Sequence, residues 1–394
     1  MCGSLYKNNH NTMKFIHLSD LHIGKSVKST SLLDDQRHIL QKILDIIRLH
    51  TPDGILIAGD IYDHPNPSGE AMSLFDDFLY ELSCLEPHVE VFIISGNHDS
   101  AERIAYGSRI MNRSGIHLSP IYNGDIHPIL MHDSHGDLAV YMLPFVKPAT
   151  VRHYFPDDEI NTEDDAIRCC VEHFCDFDSS RRNICVAHQF ITGASLSGVE
   201  EGNVGTLDAV GADVFEKFDY VALGHLHGPQ DPVSNKVRYC GSPLKYSFSE
   251  IDHHKSVTLI DMAEKDNTQI TLIPLDQPLH EWYDIQSTFD ELSSQQYRDS
   301  HPQYVQAYLR VTLTDENFIN GGFNALKAVY PNLLELHYDN QITRNANNDA
   351  SLSDTARKNI EELFSELFEA QMGRPMDEHE VDFIHSLSDS LNDN

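Results

Sequence analysis

Seven side chains able to hold a divalent cation fall in five short clusters: Asp20 and His22 in Ser19-Asp20-Leu21-His22, Asp60 in Gly59-Asp60, Asn97 in Gly96-Asn97-His98-Asp99, His188 in Ala187-His188, and His225 and His227 in Gly224-His225-Leu226-His227. The set is oxygen and imidazole without thiolate, which suits manganese, magnesium, iron or zinc in a hydrolytic centre better than a closed structural zinc site. Two such ions about 3.5–4 Å apart can clamp the attacking and leaving oxygens of an in-line displacement at phosphorus, and lower the pKa of a water between them. A carboxylate is the natural bridge, and Asp60 is the candidate, because Gly59 before it lets the backbone turn sharply into a crowded site. Asn97 offers a neutral carbonyl oxygen, and His98 beside it is left to act on substrate.

Each cluster follows a short apolar run rich in β-branched residues: Phe15 to Leu18, Ile55 to Ala58, Val91 to Ile94, Ile184 to Ala187 and Tyr220 to Leu223. Runs of this kind read as buried strands, and open α/β sheets place their sites at the C-terminal ends of strands. Between them, Leu33, Leu40, Leu44 and Ile47 make one helix face, and Leu74, Phe75, Phe78, Leu79 and Leu82 another. A lone Asp-x-His or His-x-His in a chain with 24 histidines is more often a surface feature than a ligand pair. Five clusters in this order, each behind a strand, carry the assignment together.

The order D-x-H, G-D, G-N-H-D, lone His and G-H-x-H resembles the metallophosphoesterase superfamily. The opening Phe15-Ile16-His17-Leu18-Ser19-Asp20-Leu21-His22-Ile23-Gly24 is similar to the SbcD family, the nuclease subunits of bacterial SbcCD complexes. So are Gly205-Thr206-Leu207-Asp208, the run Asp219 to His227, and Tyr239-Cys240-Gly241-Ser242-Pro243-Leu244-Lys245-Tyr246-Ser247-Phe248, and the similarity extends over about residues 13 to 340. The resemblance implies an α/β fold: a metallophosphoesterase-type β-sandwich flanked by helices, with a small α/β capping domain and a helical C-terminal tail. It implies two divalent ions, with manganese the expected activator, one held by Asp20, His22, Asp60 and His227, the other by Asp60, Asn97, His188 and His225. His98 matches the family's catalytic histidine, which touches the scissile phosphate or protonates the leaving oxygen. His64 falls near a second histidine used at the site by related archaeal and eukaryotic nucleases, with a solvated loop histidine as the equal alternative. Asp99 is expected to fix its loop or to orient a neighbouring histidine. The resemblance further implies DNA as substrate, cut from duplex ends and inside single strands and hairpins, an SbcC-type ATPase subunit as partner, and a homodimer within a heterotetramer.

Composition adds bounds. At 394 residues the chain exceeds one compact core. The expected organisation is an N-terminal extension at 1–12, a nuclease domain at 13–272, a capping domain at 279–340, a linker at 341–352 and an acidic helical tail at 353–394. In that tail Ile360, Leu363, Phe364, Leu367 and Phe368 form an amphipathic stripe, read as a docking helix for the partner subunit. No run of eighteen apolar residues is present and the first twelve residues are polar, so neither a membrane span nor a secretory signal is expected. Seven cysteines without paired C-x-x-C spacing suggest reduced thiols in a cytoplasmic protein, and Cys169, Cys170, His173 and Cys175 read as thiols of a helix rather than a metal site.

A net charge of −33 is unusual for a DNA-binding chain, since phosphate contacts need local Lys and Arg. Residues 351–394 hold eleven acidic against three basic side chains, while Lys25, Lys28, Arg103, Arg109 and Arg113 lie in loops near the clusters. The chain carries no Gly-x-x-x-x-Gly-Lys-Ser/Thr loop, so ATP is expected to act through the partner. Competing readings are a small-substrate phosphodiesterase, a phosphoprotein phosphatase, which needs arginines near the metals, and an inactive scaffold, which would have lost ligands.

Overall fold

A computed structural model describes residues 12–195 and 209–340, with a few single positions beyond 363. The Gly205–Asp208 segment, the extension at 1–11, the linker at 341–352 and nearly all of the expected tail helix lie outside the described residues. The strands are β1 (Met13–Leu18), the two-residue pair β2 (Ser26–Val27) and β3 (Thr30–Ser31), β4 (Gly54–Ala58), β5 (Glu90–Ile94), β6 (Ile116–Ser119), β7 (Ile129–Asp133) and β8 (Gly136–Leu143). They continue with β9 (Arg182–His188), β10 (Tyr220–Gly224), β11 (Val237–Tyr239), β12 (Ser256–Met262), β13 (Thr268–Pro274), β14 (Trp282–Ser287), β15 (Tyr308–Leu313) and β16 (Leu333–Tyr338).

Two sheets make the body. One has the order β13-β12-β1-β4-β5-β6, the other β11-β10-β9-β8-β7. In the first, β1, β4, β5 and β6 are parallel and β12 runs antiparallel to β1; in the second, β8 to β11 are parallel and β7 antiparallel. Phe15, Leu56 and Phe92 of the first sheet pack against Val140, Ile184, Val186 and Ala222 of the second, all fully buried. Strands buried on both faces are continuously apolar, which is why these runs do not alternate. The outer face of the first sheet is covered by helices α1 (Leu33–His50) and α2 (Gly69–Ser83), whose apolar stripes meet Ile16, Ile55, Ile57 and Ile93. On the second sheet the helix Glu163–Glu172, opened by a Thr162/Asp165 capping box, buries Ile167, Cys170 and Val171.

The described residues divide into two compact units: the first comprises those up to Ile285 with His301–Arg310 and Tyr330–Glu335, and the second Gln286–Ser300, Val311–Val329 and residues 336–340. β14, β15 and β16 form a three-stranded sheet in that order, and the division falls within each strand. Their first residues belong to the first unit for a visible reason. Trp282 stacks edge-on against Phe248 at 4.9 Å, and the Tyr308 hydroxyl donates to the buried Asp35 of α1 at 2.7 Å. The second unit holds the short helices Phe289–Ser293, Gln295–Ser300 and Gly322–Lys327.

Candidate metal centre

Five strand ends supply the site. The loops after β1 and β4 are joined backbone to backbone, Asp20 N–H to Gly59 O at 3.1 Å, His22 N–H to Asp60 O at 3.0 Å and Ile23 N–H to Ile61 O at 2.8 Å. That pairing sets Asp20, His22 and Asp60 side by side. Asp99 accepts from the amides of Gly96, Ile61 and Tyr62 at 2.9–3.1 Å, so it fastens the Asn97 loop onto the Asp60 loop. His225 N–H donates to Asp20 Oδ1 at 3.0 Å, tying in the end of β10.

Asp20, His22, Asp60 and His225 all have left-handed backbones, with φ of 52°, 43°, 48° and 109°. A non-glycine residue in such a conformation costs about 1–3 kcal/mol and persists only where the surroundings over-determine it. Four of them in one site mark a place where geometry is held at the expense of stability. Gly59 before Asp60 is left-handed too, at φ 83°. At Gly96 a Cβ would fall on the Asp60 carboxylate, so the sequence leaves that position bare.

Ligand-type atoms converge. Asp20, His22 and His227 form one group, Asp20, Asp60 and His188 a second, and His22, Asp63 and His98 a third, and in each the offered atoms lie within 4.8 Å of one another. The Asp60 carboxylate is 3.6 Å from His22 Nε2 and 3.4 Å from His188 Nε2, within reach of an imidazole of each of the first two groups, which also have Asp20 in common. Asn97 Oδ1 lies 3.0 Å from His188 Nε2 and 3.1 Å from His225 Nδ1. His22 Nε2 and His227 Nε2 face each other at 3.1 Å. Two imidazole nitrogens that close share either a proton or a cation, and with the carboxylates of Asp20 and Asp60 grouped beside them the mixed oxygen and imidazole set fits divalent ions.

Charge is arranged accordingly. Burial pushes the Asp20 carboxyl up to about 6 and the imidazoles of His22 and His225 down to about 4 and about 3. Burial would also raise Asp60, yet the neighbouring imidazoles, His188 foremost with His22 and His98, outweigh it and hold the carboxyl well below its usual range. The same pairing raises His188 against the effect of its burial.

All seven sequence-predicted ligands are brought to this centre. His98 stands beside it, its ring edge-on to His22 at 4.9 Å and its Nδ1 3.0 Å from the Asp63 carbonyl. A carbonyl only accepts, so Nδ1 carries the proton and Nε2 is the nitrogen available to a substrate. His64 is a surface side chain, three-quarters exposed, 3.2 Å from Asp63. The Cys169 cluster forms no metal-type group among the described residues, and the six described cysteines are all free thiols.

Three participants escape a reading of the sequence. Asp63 joins His22 at 3.5 Å and accepts from Lys25 at 2.7 Å, so Lys25, expected among the DNA-facing cations, is already paired. The signal for Asp63 is its place three residues after Asp60. Glu250, fully buried, accepts from His227 Nδ1 at 3.0 Å and from Lys255 at 2.7 Å. Neither Glu250 nor Lys255 has a local signal, because both lie more than twenty residues beyond the ligand they serve.

This arrangement of paired sheets and five ligand-bearing strand ends defines a class, and residues 13–229 match the family model of calcineurin-like phosphoesterases. Residues 276–372 match the model described as the type 5 capsule protein repressor C-terminal domain, SbcD_C. The chain is 32% identical over 326 residues to the SbcD component of the nuclease SbcCD of Staphylococcus epidermidis, covering 82% of this chain and 85% of that one. It belongs to the SbcD family of calcineurin-like phosphoesterases. Among solved structures, a dimetal phosphatase from Danio rerio aligns with 67% of this chain and 97% of that one at a TM-score of 0.38 and 10% identity. No helix among the described residues is long and apolar enough to cross a membrane.

Proposed function

We propose that this chain is the nuclease subunit of an SbcCD-type complex, a metal-dependent phosphodiesterase that cuts DNA from duplex ends and within single strands and hairpins during repair and recombination in the cytoplasm. The observation that carries the reading is the convergence of Asp20, His22, Asp60, His188 and His227 into two adjoining groups that share Asp20, drawn from four strand ends. Asp20, His22, Asp60 and His227 would hold one ion, and Asp60, Asn97, His188 and His225 the other. Held there, two divalent ions, manganese foremost, would supply a nucleophilic water at neutral pH and neutralise the phosphodiester charge.

The chain's own residues do the rest. Asp60 fixes the spacing of the two ligand sets, and its Oδ1 also accepts the His98 amide at 2.9 Å, which fastens the catalytic histidine to the bridging carboxylate. As an imidazolium, with Nδ1–H still on the Asp63 carbonyl, His98 donates from Nε2 to the scissile phosphate or gives that proton to the leaving 3′ oxygen, general-acid help of about 10²–10⁴-fold. His64, on the surface beside Asp63, is the second histidine within this assignment. An SbcC-type ATPase is the partner, met through the tail at 353–394, and two copies of the chain form the heterotetramer's core.

The test is manganese-dependent cleavage of single-stranded and hairpin DNA by the purified chain, alone and with an SbcC-type subunit and ATP. Cleavage by the wild type and none by Asp60→Ala protein is the expected result. Preferential turnover of cyclic nucleotides over DNA would overturn the substrate assignment.

A further inference from the structure

Behind His227, on the side away from the other ligands, sits a buried ion pair that the proposed chemistry does not use. Glu250 has no exposed surface, and its two oxygens are shared out: Oε1 faces His227 Nδ1 at 3.0 Å and Oε2 accepts from Lys255 Nζ at 2.7 Å. Lys255 Nζ donates further to the His227 carbonyl at 2.9 Å and to Ser242 Oγ at 2.8 Å, so it grips the same residue that Glu250 orients. Another buried ligand histidine, His188, is backed differently, its Nδ1 lying 2.8 Å from the carbonyl of Ala58.

A carboxylate can only accept, so Nδ1 of His227 carries the proton and Nε2 turns its lone pair toward Asp20 and His22. Burying a charged pair costs several kcal/mol and is weak evidence of a role in stability. Both oxygens of this one, however, are committed to a geometric task. We infer that Glu250, held in place by Lys255, is a positioning residue that sets the tautomer of His227 and thereby governs divalent-cation affinity at the Asp20–His22–His227 position and not at the Asn97–His188–His225 position.

The inference rests on the ligand assignment above, and a substitution separates it from a merely structural role. In Glu250→Gln the side chain keeps its shape but has a single acceptor oxygen. Turned to Lys255, that oxygen leaves the amide NH₂ against His227 Nδ1, which favours the tautomer whose Nε2 is blocked by a proton. Turned to His227, it leaves NH₂ against the lysine ammonium. Adding Lys255→Met removes this conflict and frees the amide oxygen to accept from Nδ1.

Manganese binding to the full chain, followed by electron paramagnetic resonance of the free ion, reads the result. Wild-type protein is expected to bind two ions. Glu250→Gln should weaken one of them by about 10–100-fold, the usual effect of losing a ligand's supporting carboxylate, and leave the other unchanged. The double variant should recover most of that loss. The inference is overturned if Glu250→Gln binds both ions as the wild type does, if both weaken equally, or if Lys255→Met deepens the loss. A wild type that binds no manganese would overturn the ligand assignment itself, a different failure visible before any variant is made.

Discussion

The two halves of the metal centre are built to different rules. Asp20, His22 and His227 are buried, and each is held from behind: Ser19 donates to Asp20, Gln36 Nε2 donates to the His22 carbonyl at 2.7 Å, and Glu250 anchors His227. In the other half His188 is buried and backed by the Ala58 carbonyl at 2.8 Å, but Asn97 is exposed and His225 partly so, and among the described residues the Asn97 side-chain carbonyl lies against its two histidine neighbours. A supported, water-excluded set holds an ion tightly; an open one leaves coordination positions to substrate and water. One half therefore reads as the anchor and the other as the face that meets the phosphodiester.

The largest effect is expected where the halves meet. Asp60→Ala takes a carboxylate from both sets and should reduce manganese-dependent cleavage to background, with the far-ultraviolet circular dichroism unchanged. Cleavage that survives would mean the halves share no bridge. Next comes His98→Ala, expected to lower turnover by about 10²–10⁴-fold while both manganese ions still bind. If a manganese ion is lost instead, His98 is a ligand, and the third convergent group, with His22 and Asp63, is an ion site in its own right.

Legibility from sequence follows the same division between near and far. The five ligand strands and the helices α1 and α2 are readable, because a buried strand is an unbroken apolar run and each helix carries its stripe at 3.6-residue spacing. Of the others in the body, β12 alternates across an edge-side position and β13 is half-exposed, and neither carries a run that stands out, so the antiparallel flank of the first sheet is hidden from the sequence pattern. The proposed ligands are legible for the reason the strands are, since each sits within four residues of a strand end. Asp99 is legible as a loop-fixing residue because the amides it binds lie near it or near Asp60. Glu250 and Lys255 are not, because the fold carries them to His227 from a segment whose pattern says only that it is partly buried. Lys25 looks like a free cation until the fold sets Asp63 against it.

Two smaller tests bear on how rigidly the bridge is framed. Gly96→Ala would place a methyl group on the Asp60 carboxylate, and overpacking of this kind costs about 1–3 kcal/mol. Thermal unfolding of metal-free protein should show that loss, together with weaker binding of both manganese ions, since Asp60 serves both halves. A variant that keeps wild-type stability would show that the loop gives way easily, and that the left-handed strain at Asp60 does not depend on close packing.

The smallest effect concerns the open half alone. Asn97 is exposed, so in metal-free protein Asn97→Ala should change unfolding stability by no more than about 0.5 kcal/mol, as surface substitutions usually do. His227→Ala, on the buried side, leaves a Glu250 oxygen without the donor it faces and should cost about 1–3 kcal/mol in the same measurement. With manganese added the order should persist: Asn97→Ala weakens one ion and His227→Ala the other, and only the second variant has already given up fold stability. Equal losses from the two variants without metal would mean that Asn97 is as much a part of the frame as His227, and the distinction between an anchoring half and an open half would not hold.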